Sequence, residues 1–342
     1  MIQIVWFCLV AIMIAGYVVL DGFDLGAGII HLFVARTEQE RQRVLHSIGP
    51  VWDGNEVWLI AGGGTLYFAF PALYSAAFSG FYLALMMVLW LLILRGISIE
   101  LRSHIESPIW KPFWDLIFGG SSAFLALLYG AALGNVVRGV PLDSDGFFFV
   151  PLWTNFQPGQ DPGIVDWYTL LIGAAAFTAL ALHGCYWVAL KTDGDLQLRS
   201  REFGRRLWRA VAVFTIIITF VSFRLQPNIA REFGDHVWGI VFPLLAIGGL
   251  VGMRVWSEWA RDLGAFLSSC LYLVGMLTSA AFGLFPYVLP SNSSPDAGLT
   301  VTNAAAAEYG LYVGLAWWIP GMALALLYSV FVYRRFAGKV AG

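Results

Sequence analysis

Two short blocks hold the side chains best placed to do chemistry. Asp21-Gly22-Phe23-Asp24 and Asp53-Gly54-Asn55-Glu56 each set two carboxyl groups at i and i+3, one face of a helix. Both blocks lie in or against long apolar stretches. An ionised Asp at the middle of a bilayer costs roughly 2.5–3.5 kcal/mol on insertion scales, so acids in such places need a reason. Carboxyls crowded in low dielectric cannot all be charged; they share protons, and a cluster of this kind can take up a proton and pass it on. A structural reading stands beside this one. Asp53 falls in the first turn after Pro50, where a helix N-terminus favours an anion, and Asp24 would sit at headgroup level. The repeated Asp-Gly-x-acid spacing favours the functional reading.

The other polar candidates carry less. Of five histidines, only His183 lies well inside an apolar run, and a lone His there reads as a packed, hydrogen-bonded residue. Bis-histidine haem ligation needs two imidazoles facing one cavity, and the sequence offers no such intramembrane pair. Asp115 and Glu308 open helices, where the dipole is sufficient reason; Glu100 and Glu106 read as a solvated connection. Cys8, Cys185 and Cys270 lie in apolar stretches without any CxxC, which argues against disulfide scaffolds, zinc ribbons, iron–sulfur ligation and covalent haem. No metal site is expected.

The elements that position the acids must be membrane helices. Of 342 residues, 59% are apolar and 12% charged, half the charge of an ordinary soluble domain. Mean hydropathy is +0.73. A net charge of −2, with no basic and aromatic interleaving, argues against nucleic acid as a partner. Nine runs are long enough to cross a hydrocarbon core: 4–34, 51–70, 72–94, 113–137, 167–190, 207–225, 237–256, 263–289 and 309–332. The first lacks a preceding Lys or Arg and is too long for a secretory signal, so it reads as a retained helix. At 1.5 Å per residue from Ile4, Asp21 and Asp24 lie roughly 26 and 30 Å along it. The second run enters from the opposite side, which brings its acid pair to a similar depth.

The connections after runs one, three, five and seven and the C-terminal segment, together with Arg209 and Arg254 in the adjoining run ends, hold 17 of the 20 Lys and Arg residues. Positive residues stay on the cytoplasmic side, so the N-terminus is expected outside, in the periplasm, and the C-terminus inside. The connections are short and carry no soluble domain. The fold expected is all-α: one polytopic membrane domain over 1–342, with nine transmembrane helices packed as helix bundles.

Three blocks together resemble a known family: Asp21-Gly22-Phe23-Asp24-Leu25-Gly26, Pro50-Val51-Trp52-Asp53-Gly54-Asn55-Glu56-Val57-Trp58-Leu59, and Ala76-Ala77-Phe78-Ser79-Gly80-Phe81-Tyr82. With Phe285-Pro286 and Pro290-Ser291 before the last helix, they are similar to subunit II of the cytochrome bd ubiquinol oxidases, including the cyanide-insensitive branch. The resemblance runs from the first helix to the ninth. It implies a heterodimeric respiratory oxidase of the bacterial inner membrane that takes electrons from quinol and reduces oxygen to water. Haems b and d and the quinol-oxidising loop would belong to the larger partner, subunit I, with small single-helix accessory subunits in addition. The chain in hand would bind no haem, and a structural quinone, found in some members, has no contacts assigned here. The family's proton-delivering Asp corresponds to Asp53, and its first-helix acids to Asp21 and Asp24. Position 56 is Gln in some members and Glu56 here. The resemblance thus implies a proton pathway of Asp53, Glu56, Asp21 and Asp24, with no catalytic residue in this subunit. Two rival functions use similar features. A proton-coupled secondary transporter would show broken helices at matching positions of two repeats, and a haem-binding cytochrome subunit would show haem bands of its own.

Overall fold

The computed structural model describes residues 1–159, 161–293 and 297–340. In chain order the helices are α1 (Ile2–Val34), α2 (Glu38–Ile48), α3 (Trp52–Ala69), α4 (Pro71–Gly80), α5 (Tyr82–Leu101), α6 (Trp110–Arg138), α7 (Trp167–Lys191), α8 (Gly194–Leu225), α9 (Pro227–Asp235), α10 (Val241–Glu258), α11 (Asp262–Leu284) and α12 (Glu308–Arg335). A single two-stranded antiparallel ladder, β1 (Tyr287–Leu289) with β2 (Leu299–Thr300), lies between α11 and α12. Among the described residues, eight helices are long and apolar enough to span a membrane, and the α3–α4 pair makes a ninth if it is counted as one span.

That pair is where the helices depart from the hydrophobic runs. The apolar pattern passes through Pro71 without a break, whereas the chain turns there by 119°. Proline has no N–H to donate and disfavours the helical region for the residue before it, and Phe70 accordingly leaves the helix at φ −132°, ψ 66°. A second break follows at Phe81, so the run read as 72–94 becomes a short helix and then α5, which continues to Leu101. The shift moves Arg95 from a connection into the body of a spanning helix.

Helix α1 packs against α3, α6, α7 and α11. Its closest approach is to α7. A Cβ on Gly26 would lie 2.1 Å from the Leu180 carbonyl oxygen, and one on Gly184 would lie 2.2 Å from the Gly26 carbonyl carbon. The two backbones are therefore in contact, and only glycine fits at either position. Gly184→Val is expected to pry the helices apart and lower the thermal midpoint of the purified complex by the equivalent of roughly 1–3 kcal/mol or more. Gly120→Ala, where a Cβ meets nothing within 4 Å, is the control that should leave it unchanged.

At the N-terminal end of α1 the described parts of the connection between α6 and α7, 139–159 and 161–165, fold back onto the bundle. Its Val140, Leu142, Phe148 and Ile164 join Trp6 and Phe70 in a buried cluster. Arg138 is buried there too, with Nη1 bonded to the Asp166 carboxylate and Nη2 2.5 Å from Asn135 Oδ1.

Candidate functional site

Arg95 of α5 is fully buried and aims its guanidinium at α1. Nη1 donates to Asp21 Oδ2 at 2.9 Å and Nη2 bonds Asp21 Oδ1, a bidentate fork. Nη1 is also 4.0 Å from Glu56 Oε2. One turn along α1, Asp24 is equally buried, and its Oδ2 accepts from Asn55 Nδ2 at 2.7 Å. The Asn55 amide is fixed on every side. Nδ2 also donates to the Leu20 carbonyl at 3.1 Å, and Oδ1 accepts from the Tyr333 hydroxyl of α12 at 2.8 Å. On the other flank, the Tyr17 hydroxyl is 2.9 Å from Asp21 Oδ2 and 2.9 Å from the Tyr129 hydroxyl of α6. A phenol has one proton, so Tyr17 donates to Asp21 and receives from Tyr129.

The i, i+3 spacing at 21 and 24 and the helix that begins at Trp52 thus bring the buried Asp21 and Asp24 and the partly exposed Glu56 together around Arg95. Three carboxyls face one guanidinium. Arg95 compensates one charge, and the other two sites can hold and release protons. Asp24 Oδ1 is buried without a hydrogen-bond partner among the described residues. Asp24 is wholly enclosed by protein. Asp53 stands apart: it is exposed on the first turn of α3, and among the described residues no hydrogen bond ties it to the buried centre. It lies one turn before Glu56, near enough for their charges to interact.

Sequence reasoning passed over Arg95, Tyr17, Tyr129, Tyr333 and Asn55. The usable signal for Arg95 was Gly96-Ile97-Ser98-Ile99 beyond it, an apolar continuation that keeps the arginine inside a span.

A second buried cluster lies toward the basic end. Asp115 accepts from Arg102 Nε at 2.6 Å and from Arg41 Nη1 at 3.3 Å, and His31 Nε2 is 3.6 Å away. Glu38 accepts from Arg102 Nη2 at 2.9 Å. Asp115 therefore serves an ion network rather than only a helix start. His183 uses both ring nitrogens, Nε2 on the Val19 carbonyl at 3.0 Å and Nδ1 on Ser269 Oγ at 2.7 Å. His31 Nδ1 is 2.8 Å from the Gly28 carbonyl. Both ring nitrogens of His183 are thus engaged by protein groups, whereas His31 Nε2 has no hydrogen-bond partner among the described residues.

Outside the spans, ion pairs hold α2 to the start of α8. Burial works against the charge of Glu40, but the Arg36 N–H at 2.7 Å, the Arg199 guanidinium and the Thr37 N–H outweigh it and leave its pKa below the ordinary glutamate value. Arg43, 2.5 Å from Asp193, likewise lowers that carboxyl. Because both folded-state values are lowered, their stabilising contribution is present above the unfolded values near 4 and is lost as pH falls through the lowered ones. Protection factors of the α2 amides, taken against the intrinsic exchange rate at each pH, should be high near pH 6 and fall toward about pH 3. Equal protection across that interval would show that the pairs contribute nothing.

A helical, multi-pass membrane protein whose spans enclose a carboxyl and guanidinium network is the class that fold and site define. A profile described as "Cytochrome bd terminal oxidase subunit II" matches residues 2–336. The chain belongs to that family. It is 30% identical to cytochrome bd-I ubiquinol oxidase subunit 2 of Escherichia coli (strain K12), over 99% of this chain and 95% of that one. To cytochrome bd ubiquinol oxidase subunit 2 of Bacillus subtilis (strain 168) it is 28% identical, over 96% and 95%. Its fold is similar to the structure of bd oxidase from Geobacillus thermodenitrificans, with a TM-score of 0.76, 16% identity and 98% of each chain covered.

Proposed function

We propose that this chain is the haem-free subunit of a membrane-bound quinol oxidase, and that its buried acids deliver protons to a haem-bearing partner for the reduction of oxygen to water. The observation that carries the reading is the grouping of Asp21, Asp24 and Glu56 around the buried Arg95, which bonds Asp21, approaches Glu56 and interacts with the charge of Asp24. Family membership supports the oxidase role, and the placement of 16 of 20 basic residues, Arg95 lying within a span, supports a cytoplasmic position for the end where α1 finishes. On this reading Asp53, exposed at the start of α3, takes up protons with Glu56, and Asp21 and Asp24 relay them across the subunit boundary. Quinol releases its protons on one face while oxygen consumes protons from the other. Each charge carried against 100 mV is worth about 2.3 kcal/mol, so a one-sided route conserves energy without a pump. Haems b and d belong to the partner in this scheme, and no step is assigned to them here.

Asp53→Asn in the assembled complex tests it. Haem content and assembly should match the parent while quinol oxidase turnover falls. Full turnover in that variant would remove Asp53 from the route.

A further inference from the structure

At the basic end, where the α2–α3 junction, α7, α11 and the segment after α12 meet, a pocket of about 710 Å³ opens. This is the size range of a site for a sizeable organic ligand. Its walls are apolar: Val51, Trp187, Leu190, Leu263 and Phe266. Its mouth is cationic. Lys191, Arg335 and Lys339 line it, and among the described residues no carboxylate does. The chain after α12 is strapped across the opening. Lys191 Nζ donates to the Phe336 carbonyl at 2.5 Å, Lys339 Nζ to the Thr192 carbonyl at 2.8 Å, and the Val340 N–H to the Lys191 carbonyl at 2.8 Å.

These bonds fix the ammonium groups without neutralising them. Each uses one of three N–H donors on a neutral acceptor and keeps the others. Arg335 forms no ion pair among the described residues. The nearby Asp193 is already bonded to Arg43 at 2.5 Å. An apolar slot lined by three cations, of which Lys339 also feels the Asp193 carboxylate, at the end of a helix bundle, suits a molecule with one anionic end and one hydrocarbon end.

We infer that this pocket binds a glycerophospholipid with an anionic headgroup, its phosphate held by Lys191, Arg335 and Lys339 and an acyl chain laid over Leu190, Leu263 and Phe266. Neither half of the site suffices. A free phosphate would leave the apolar walls empty, and a zwitterionic lipid would bring its own cation to the mouth. The pocket shares the Tyr333 wall with the acid network, but the lipid assignment does not rest on the proton-delivery reading.

The test uses the intact, delipidated complex in detergent, titrated with phosphatidylglycerol, with phosphatidylcholine of the same chains, and with inorganic phosphate, and read by native mass spectrometry and thermal melting. Phosphatidylglycerol should bind and raise the melting point, while the other two should do so at least about fivefold more weakly. Arg335→Gln and Lys339→Gln should each weaken phosphatidylglycerol by about fivefold. Arg335, which bonds no carbonyl of the strap, reads charge alone should Lys339→Gln loosen the segment. Leu263→Trp, filling the open side with the charges intact, should abolish binding. Equal binding of phosphatidylcholine, equal protection by phosphate, or affinity for phosphatidylglycerol unchanged in the variants would overturn the assignment.

Discussion

Arg95→Met is expected to cost roughly 3–5 kcal/mol of stability and to strip the complex from the membrane fraction. The guanidinium is wholly buried, and it is the one cation that contacts Asp21 and approaches Glu56 among the described residues. Without it, Asp21 keeps a hydrogen bond from Tyr17 but loses its charge partner, in surroundings that cannot hydrate it. The cost comes from the carboxylate left behind, which gives the test its internal control. Arg95→Met combined with Asp21→Leu removes both charges and should recover most of the loss, since apolar replacement of a whole buried pair is often neutral or better. Arg95→Lys should fall between, because an ammonium cannot form the two-pronged contact. Detergent-solubilised yield and melting temperature measure all three. Parent-like behaviour of Arg95→Met would mean that the pair is dispensable.

The same arginine shows where sequence reading stops. Composition and the alternation of basic connections were enough for an all-helical, multi-pass protein, because hydrocarbon solvent imposes a single strong rule on every span. The α3–α4 turn was hidden because hydropathy averages over Pro71, while backbone geometry responds to that one residue. Losing the turn displaced the next span, and Arg95 was counted as a connection charge. The acids at 21 and 24 were legible because two carboxyls in an apolar run are anomalous on any scale. Tyr17, Tyr129 and Tyr333 were not, since a tyrosine in a membrane helix is unremarkable until its hydroxyl is seen to reach a partner. Asn55 lay inside a block already singled out, yet its part as the link between Tyr333 and Asp24 depends on α1, α3 and α12 meeting, which no local pattern encodes.

The proposed route makes its sharpest demand at Asp24. Asp24→Asn replaces the carboxyl with a group of the same shape whose Oδ1 can still accept from Asn55 Nδ2, so packing, haem content and melting temperature should stay at the parent values. An amide cannot give up and recover a proton at this pH. If Asp24 carries protons, quinol oxidase turnover should fall by at least about 100-fold, the lower end of what a positioned acid–base group contributes. Asp24→Glu, which keeps the exchangeable proton at some cost in fit, should retain part of the rate. Tyr333→Phe leaves Asp24 untouched but frees the Asn55 carbonyl from its donor, so it should slow turnover less than Asp24→Asn while leaving assembly intact. This order separates a proton carrier from a structural acid. A purely structural Asp24 would tolerate the isosteric amide and resent the longer side chain, the reverse of the ranking expected here.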